Sequence, residues 1–207
     1  MSRWWTIQIP TDFNDVSEKA NAEPALAEML ESRRKLGSAA MHLYKPSQGG
    51  SLMVIEQINT KYSAVSKGEL ERREETERAS NGSVGKEIDY RVDVTTHLVV
   101  GTQKAMAGEI LSVQKRWMGV ATDDSTRTLE VMCTAREDVC QSVMGTVVVD
   151  EAQFRRLDSL KPITGTDVGS FVALGFAAVG FLGVAVVMFR RRKRLPVPTT
   201  TEASPEA

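Results

Sequence analysis

Histidine and cysteine are scarce in this chain: His42 and His97, Cys133 and Cys140 are all it has in 207 residues. A zinc site takes several imidazole or thiolate ligands, so no metal centre is expected. The sequence also lacks a Gly-x-x-x-x-Gly-Lys-Ser/Thr loop, a Gly-x-Gly-x-x-Gly turn and a Gly-x-Ser-x-Gly elbow. No cofactor is therefore expected, and nothing marks a cradled phosphate or a serine nucleophile. An excess of one charge is missing too, since 26 Lys+Arg against 27 Asp+Glu leave a formal net charge of -1. General binding to nucleic acid is excluded on this ground, because the dense basic run adjoins a hydrophobic span. The opening, Met1-Ser-Arg-Trp-Trp-Thr-Ile-Gln-Ile-Pro10, shows no apolar leader core and no small-residue cleavage site.

The charge that is present is unevenly distributed. Residues 1–167 hold 21 basic and 25 acidic side chains, residues 168–189 hold none, and Arg190, Arg191, Arg192, Lys193 and Arg194 follow without a gap. As a helix, the charge-free span from Val168 to Phe189 rises about 1.5 Å per residue, or about 33 Å, enough for a hydrocarbon core of about 30 Å. Its glycines at 169, 175, 180 and 183 would penalise a soluble helix and are common in membranes. A transmembrane helix over 168–189 is expected, with the lipid bilayer as its partner. Gly169, Ala173 and Ala177 recur every four residues, spacing that allows close helix approach and a homodimer, or that arises simply from a Gly/Ala-rich span.

The five basic residues read as a stop-transfer cluster. On the other side stand Arg155, Arg156 and Lys161, diluted by Asp158 and Asp167. The positive-inside rule then puts the tail in the cytoplasm and residues 1–167 outside. A tail anchor, with the folded domain in the cytoplasm, is the competing topology, and the opening without a leader core bears on the choice. Residues 190–207 form a basic and then Pro/Thr/Ser/Glu-rich tail, expected to be disordered.

Residues 1–149 are expected to form one α+β globular domain, and 150–167 a juxtamembrane connector. Trp5 to Ile9 alternates and ends at Pro10, as a strand does. Leu26, Met29, Leu30, Arg33 and Leu36 recur at helical spacing after Pro24, with Gly37 expected as the C-terminal cap. Met41 and Leu43, then Leu52 to Ile58, suggest a hairpin. Ser66-Lys-Gly-Glu69 has capping-box spacing and opens a charged helix to Arg78. Glu69 with Arg73 and Glu74 with Arg78 are expected as pairs on a solvated or partner-docking face. From Lys86 the pattern is β: Ile88, Tyr90, Val92 and Val94 should share a face. Asp123-Asp-Ser125 marks a turn between Glu109–Ala121 and Arg127–Cys133. A short helix over 137–144 and the run Thr146 to Val149 follow. The sum is a mostly antiparallel sheet with two or three packing helices.

The starting strand ending in Pro, the long meander and the short helix after a Cys-bearing strand resemble PsbP-like domains. Trp5 to Phe13, Tyr90 to Val100 and Leu129 to Val148 carry the resemblance. It implies an α/β/α sandwich and a binding or assembly role rather than chemistry; fold by itself does not fix function.

Cys133 ends a strand and Cys140 lies in the helix that returns over it, so the two are a disulfide candidate outside the cytoplasm and two buried thiols inside it. Six residues separate them, against two in a dithiol active site. His42 and His97 fall on expected strands, where a half-buried sheet residue is the alternative to a catalyst. Asp123 and Asp124 have a turn as the alternative to a cation site. Asn81-Gly-Ser83 is a glycosylation sequon in an expected loop. Trp4 and Trp117 are the binding-patch candidates, with core packing as the alternative. The expected function is a single-pass membrane-anchored, non-enzymatic binding or assembly-accessory domain with an unknown protein partner. The alternatives are a tail-anchored cytoplasmic adaptor and an enzyme using His42 or His97.

Overall fold

The computed structural model describes residues 3–46, 49–60, 66–80 and 86–160. The elements run β1 (Trp5–Thr6), β2 (Phe13–Asp15), α1 (Ser17–Asn21), α2 (Pro24–Arg34), β3 (Gly37–Pro46), β4 (Ser51–Asn59) and α3 (Lys67–Ser80). They continue with β5 (Lys86–Val94), β6 (Val99–Ala107), β7 (Ile110–Val120), β8 (Thr126–Ala135), α4 (Glu137–Gly145) and β9 (Val148–Val149). Seven strands form one antiparallel sheet in the order β2-β3-β4-β8-β7-β6-β5, and β1 pairs with β9 apart from it. The α+β class with a mostly antiparallel sheet and a few helices is what the periodicity predicts.

Strand alternation divides the side chains between two faces. On one face Ala39, Met41, Met53 and Ile55 pack against Leu26, Met29 and Leu30 of α2. The same face continues to Val99, Met118 and Val120, which Leu70 of α3 covers together with Leu157. The opposite face carries Leu52, Val54, Leu129, Val131 and Cys133 beneath Cys140 and Val143 of α4, Trp4, Trp5 and Phe154. Leu52, Leu129 and Val131 are wholly buried, each such side chain stabilising the fold by about 1.5–3 kcal/mol.

Several local expectations change. Strand β1 is only two residues long, because its pairing with β9 ends at Thr6↔Val148. Gly37 is not a helix cap but the first residue of β3. A Cβ there would come within 2.0 Å of the Ile58 carbonyl oxygen, so glycine serves close approach to β4. In β5 the pairing to β6 steps from Glu87 to Asp89. Ile88 is the extra residue of a β-bulge and is 51 % exposed, so it does not share the face of Tyr90, Val92 and Val94. Residues 150–160 of the expected connector pack on the domain: Phe154 bridges Ala121 and is buried, as is Leu157.

The outer edge of β3 is covered without a strand over most of its length. The Ser17 hydroxyl accepts from the Leu43 N–H (2.9 Å), the Val16 N–H donates to the Leu43 carbonyl (2.8 Å), and Arg34 Nε donates to the Ala39 carbonyl (3.3 Å). Such capping denies the edge to another chain.

The 168–189 span, the Arg190 to Arg194 cluster, the Gly169/Ala173/Ala177 stripe, the 190–207 tail and the Asn81 sequon lie outside the described residues. Among the described residues, no helix is long and apolar enough to cross a membrane.

Candidate functional site

The polar feature with the deepest burial lies on the α2/α3 face. Arg116 of β7 stands opposite Glu130 of β8 in register. Arg116 Nη1 donates to Glu74 Oε2 of α3 at 2.9 Å, and its Nη2 lies 3.4 Å from Glu130 Oε1. Arg33 of α2 donates to Glu130 Oε2 at 3.2 Å, and Gln114 donates to Oε1 at 2.6 Å. The Glu74, Arg116 and Glu130 side chains are each about 5 % exposed. Two acids and two arginines thus alternate across the sheet from one helix to the other.

Gly101 makes this line possible. It stands opposite Arg116 on β6, and a Cβ there would come within 1.9 Å of Glu74 Oε1. The bare backbone lets the Glu74 side chain lie across β6 to reach the guanidinium. The expected Glu74–Arg78 pair is therefore replaced: Glu74 points into the sheet, and Arg78 donates to Glu87 at 2.7 Å with its guanidinium 4.2 Å from the Tyr90 ring centre. Glu69 and Arg73 do pair, at 2.9 Å. The charged helix is a solvated surface on one side only, because Leu70 and Glu74 are buried.

Burial alone would raise the Glu130 carboxyl, yet Arg116 and Arg33 beside it, with hydrogen bonds from Arg33 and Gln114, hold it down at about 2. A carboxylate held so low stays ionised near neutrality and is a poor proton carrier there. Burial, with Glu74 nearby, pushes the Tyr90 hydroxyl up to about 12. The chain of charges ties α2 and α3 to the sheet between them. Arg116 and Glu130 were not singled out from sequence, and Arg33 and Glu74 were read only as positions on helices; the signal was an Arg and a Glu at interior positions of two strands.

The histidines occupy separate places. His97 lies not on a strand but in the β5–β6 turn, with Nδ1 3.3 Å from Glu151 Oε2, which also accepts from Thr95 Oγ1 at 3.1 Å. His42 is on β3 and stacks on Tyr44, ring centres 6.5 Å apart. Hydrogen bonds from the Ser17 side chain and backbone hold the nearby Asp15 carboxyl below its ordinary value. Asp123 anchors the β7–β8 turn: the Ser125 hydroxyl and N–H donate to it, Arg127 pairs with it, and its carboxyl is held at about 2. Among the described residues, no three His, Cys, Asp or Glu groups are grouped to hold a metal ion.

Trp4 and Trp117 do not form an exposed patch. They are 3 % and 7 % exposed. Trp4 donates through Nε1 to Glu56 Oε1 at 2.5 Å and meets Phe154 edge-on at 5.5 Å. Trp117 lies on the same sheet face and belongs to the same buried cluster as Trp4 and Phe154. Cys133 and Cys140 stand at disulfide distance, Cα to Cα 5.5 Å, and both are fully buried. The register of β8 aims Cys133 at the face α4 covers.

Among the described residues, one half-buried cation on that face has no carboxylate within 4 Å, although Asp93 acts on it from farther away. Lys115 of β7 is half-buried, its ammonium 4.8 Å from the Trp117 ring centre. Its cross-strand neighbour is Thr102, whose buried hydroxyl has no hydrogen-bond partner among the described residues. No protein-family model matches the chain, and no curated protein matches it either.

Proposed function

We propose that this chain is a single-pass membrane protein, held by residues 168–189, whose folded residues act as a non-enzymatic binding or assembly-accessory domain. The observation that carries the reading is the 22-residue charge-free span closed by Arg190, Arg191, Arg192, Lys193 and Arg194. Such a run has no polar face to show water, and the basic cluster retains it on the cytoplasmic side. The domain then stands outside, where a Cys133–Cys140 bridge persists. The resemblance to PsbP-like domains adds the assembly role, and Gly169, Ala173 and Ala177 offer a face for self-association.

Fractionation of the full chain and of a form lacking 168–189 tests the anchor. The full chain is expected in carbonate-washed membranes and the deletion in the supernatant; equal distribution defeats the reading. Alkylation in native membranes under denaturant, with and without prior reduction, tests the side. Denaturant is required because both sulfurs are buried. Thiols that react only after reduction support the outside placement, and thiols free from the start favour the cytoplasmic adaptor. Native electrophoresis of solubilised membranes tests assembly: migration as a lone monomer counts against it.

A further inference from the structure

The two edges of the seven-stranded sheet differ. At one end β2 is short, and the rest of the β3 edge is closed by Val16, Ser17 and Arg34. β5 ends the sheet on the other side, and among the described residues no strand pairs with its outer edge. The Thr95 N–H donates to the Leu98 carbonyl at 2.9 Å, so by antiparallel alternation the backbone groups of Asp93 and Arg91 face β6. Those of Tyr90, Val92 and Val94 then face outward, a row of donors and acceptors open to another strand. The bulge at Ile88 ends this row on one side, and the β5–β6 turn ends it on the other. Val92 packs with the α3 cluster, while the Arg91 and Asp93 side chains, 62 % and 54 % exposed, alternate to the opposite face.

We propose that β5 pairs with β5 of a second copy of this chain, antiparallel about a two-fold axis at Val92, so that the two sheets become one. Charge selects this register: Arg91 of each copy stands beside Asp93 of the other, Tyr90 beside Val94, and Val92 beside Val92. Centring on Arg91 sets Arg91 against Arg91 and Asp89 against Asp93, and centring on Asp93 sets Asp93 against itself. Like charges directly opposite are destabilising. Centring on Tyr90 runs into the bulge, and centring on Val94 runs off the strand. The backbone agrees with the charge. Tyr90, Val92 and Val94 exchange the N–H···O bonds, and Arg91 and Asp93 fall at the closer, non-hydrogen-bonded positions. Helix α3 lies over β6, where Glu74 crosses Gly101. The two copies of α3 are therefore three strand spacings apart, about 14 Å, beyond the roughly 8–10 Å of packed helices. The axis is perpendicular to the sheet, so both copies keep on one side α3 and Leu160, the last described residue, which packs against the same cluster. Two chains anchored beyond that residue in one bilayer need this arrangement. The contact uses both open edges and closes at two copies. It names a second copy as the partner in the assembly role proposed above and rests on that role. Its test reads contact at the edge itself, so it can fail while native electrophoresis still shows assembly.

Full chains carrying Arg91→Cys or Asp93→Cys, with tags of different size, are co-expressed, taken into detergent micelles and oxidised with copper phenanthroline. Cys133 and Cys140 are fully buried at disulfide distance and stay out of the reaction. Non-hydrogen-bonded neighbours stand about 4.5 Å apart at Cα, within disulfide reach. The mixed dimer also keeps one Arg91–Asp93 contact. It is expected to exceed either like-with-like dimer at least five-fold, with Asp138→Cys, on a side chain 71 % exposed on α4, marking the level of chance collision. Val92→Pro removes only an outward N–H, so the β5–β6 ladder keeps its bonds. Added to both chains, it is expected to lower the mixed dimer at least five-fold with the circular dichroism spectrum unchanged. A mixed dimer at the Asp138→Cys level, a predominant Arg91→Cys homodimer, or a yield indifferent to Val92→Pro overturns the pairing. Cross-linking of both thiols to a different chain gives the edge to another occupant and overturns it as well.

Discussion

Glu130 is shared by Arg33 and Arg116, so removing its charge leaves a buried guanidinium short of an anion. Glu130→Gln is expected to cost about 3–5 kcal/mol in urea denaturation. Its depressed carboxyl also sets a pH dependence. A carboxyl held at about 2 when folded, against about 4.3 when unfolded, contributes stability that is complete above the unfolded value and lost as pH falls through the folded one. The denaturation midpoint is expected to drop between about pH 4.5 and 2, with a shallower drop in Glu130→Gln; a midpoint flat across that window contradicts the pairing. Gly101→Ala drives a methyl group into the Glu74 side chain, and a loss of about 1–3 kcal/mol is expected in the same measurement. None of these partners was legible from spacing. Glu74 is four residues from Arg78, which suits a surface pair, and only the approach of α3 to β6 turns it inward.

At the scale of elements, α4 is fastened twice, by Cys140 and Val143 in the core and by the bridge to Cys133. The closed loop is short, so replacing both cysteines with Ala is expected to cost about 2–3 kcal/mol, read as a lower thermal midpoint that reductant no longer shifts. On β3, Ser17 answers the Leu43 N–H. Ser17→Ala leaves that donor without a partner and is expected to cost about 1–3 kcal/mol, with faster hydrogen exchange at Leu43. Elements of strong period were legible: α3, the β3–β4 hairpin, β7, β8 and α4 all lie where alternation or helical spacing puts them. Elements that depend on a distant partner were not. β2 is three residues long and exists through β3, and the bulge at Ile88 follows from pairing with β6.

At the scale of the molecule, the folded unit ends past residue 149. Phe154 fills the space over Gly119, where a Cβ would meet its ring at 2.6 Å, and Leu157 closes the cluster under α3. A chain ending at residue 160 is expected to resist limited proteolysis, and one ending at 149 to be digested, because its Phe154 and Leu157 packing is gone. The sequence by itself determined what depends on near neighbours: period-2 strands, the Asp123 turn, the helix after Cys133, and a charge distribution that separates an acidic body from a basic cluster beside an apolar span. Only the tertiary structure decided which strand lies beside which, and hence that Arg116 meets Glu74 across 42 residues and Trp4 meets Glu56 across 52. Alternation assigns a side chain to one of two faces; it does not say what covers that face. Helix α4 and the segment carrying Phe154 supply that cover, and Trp4 and Trp117 lie in the cluster with them.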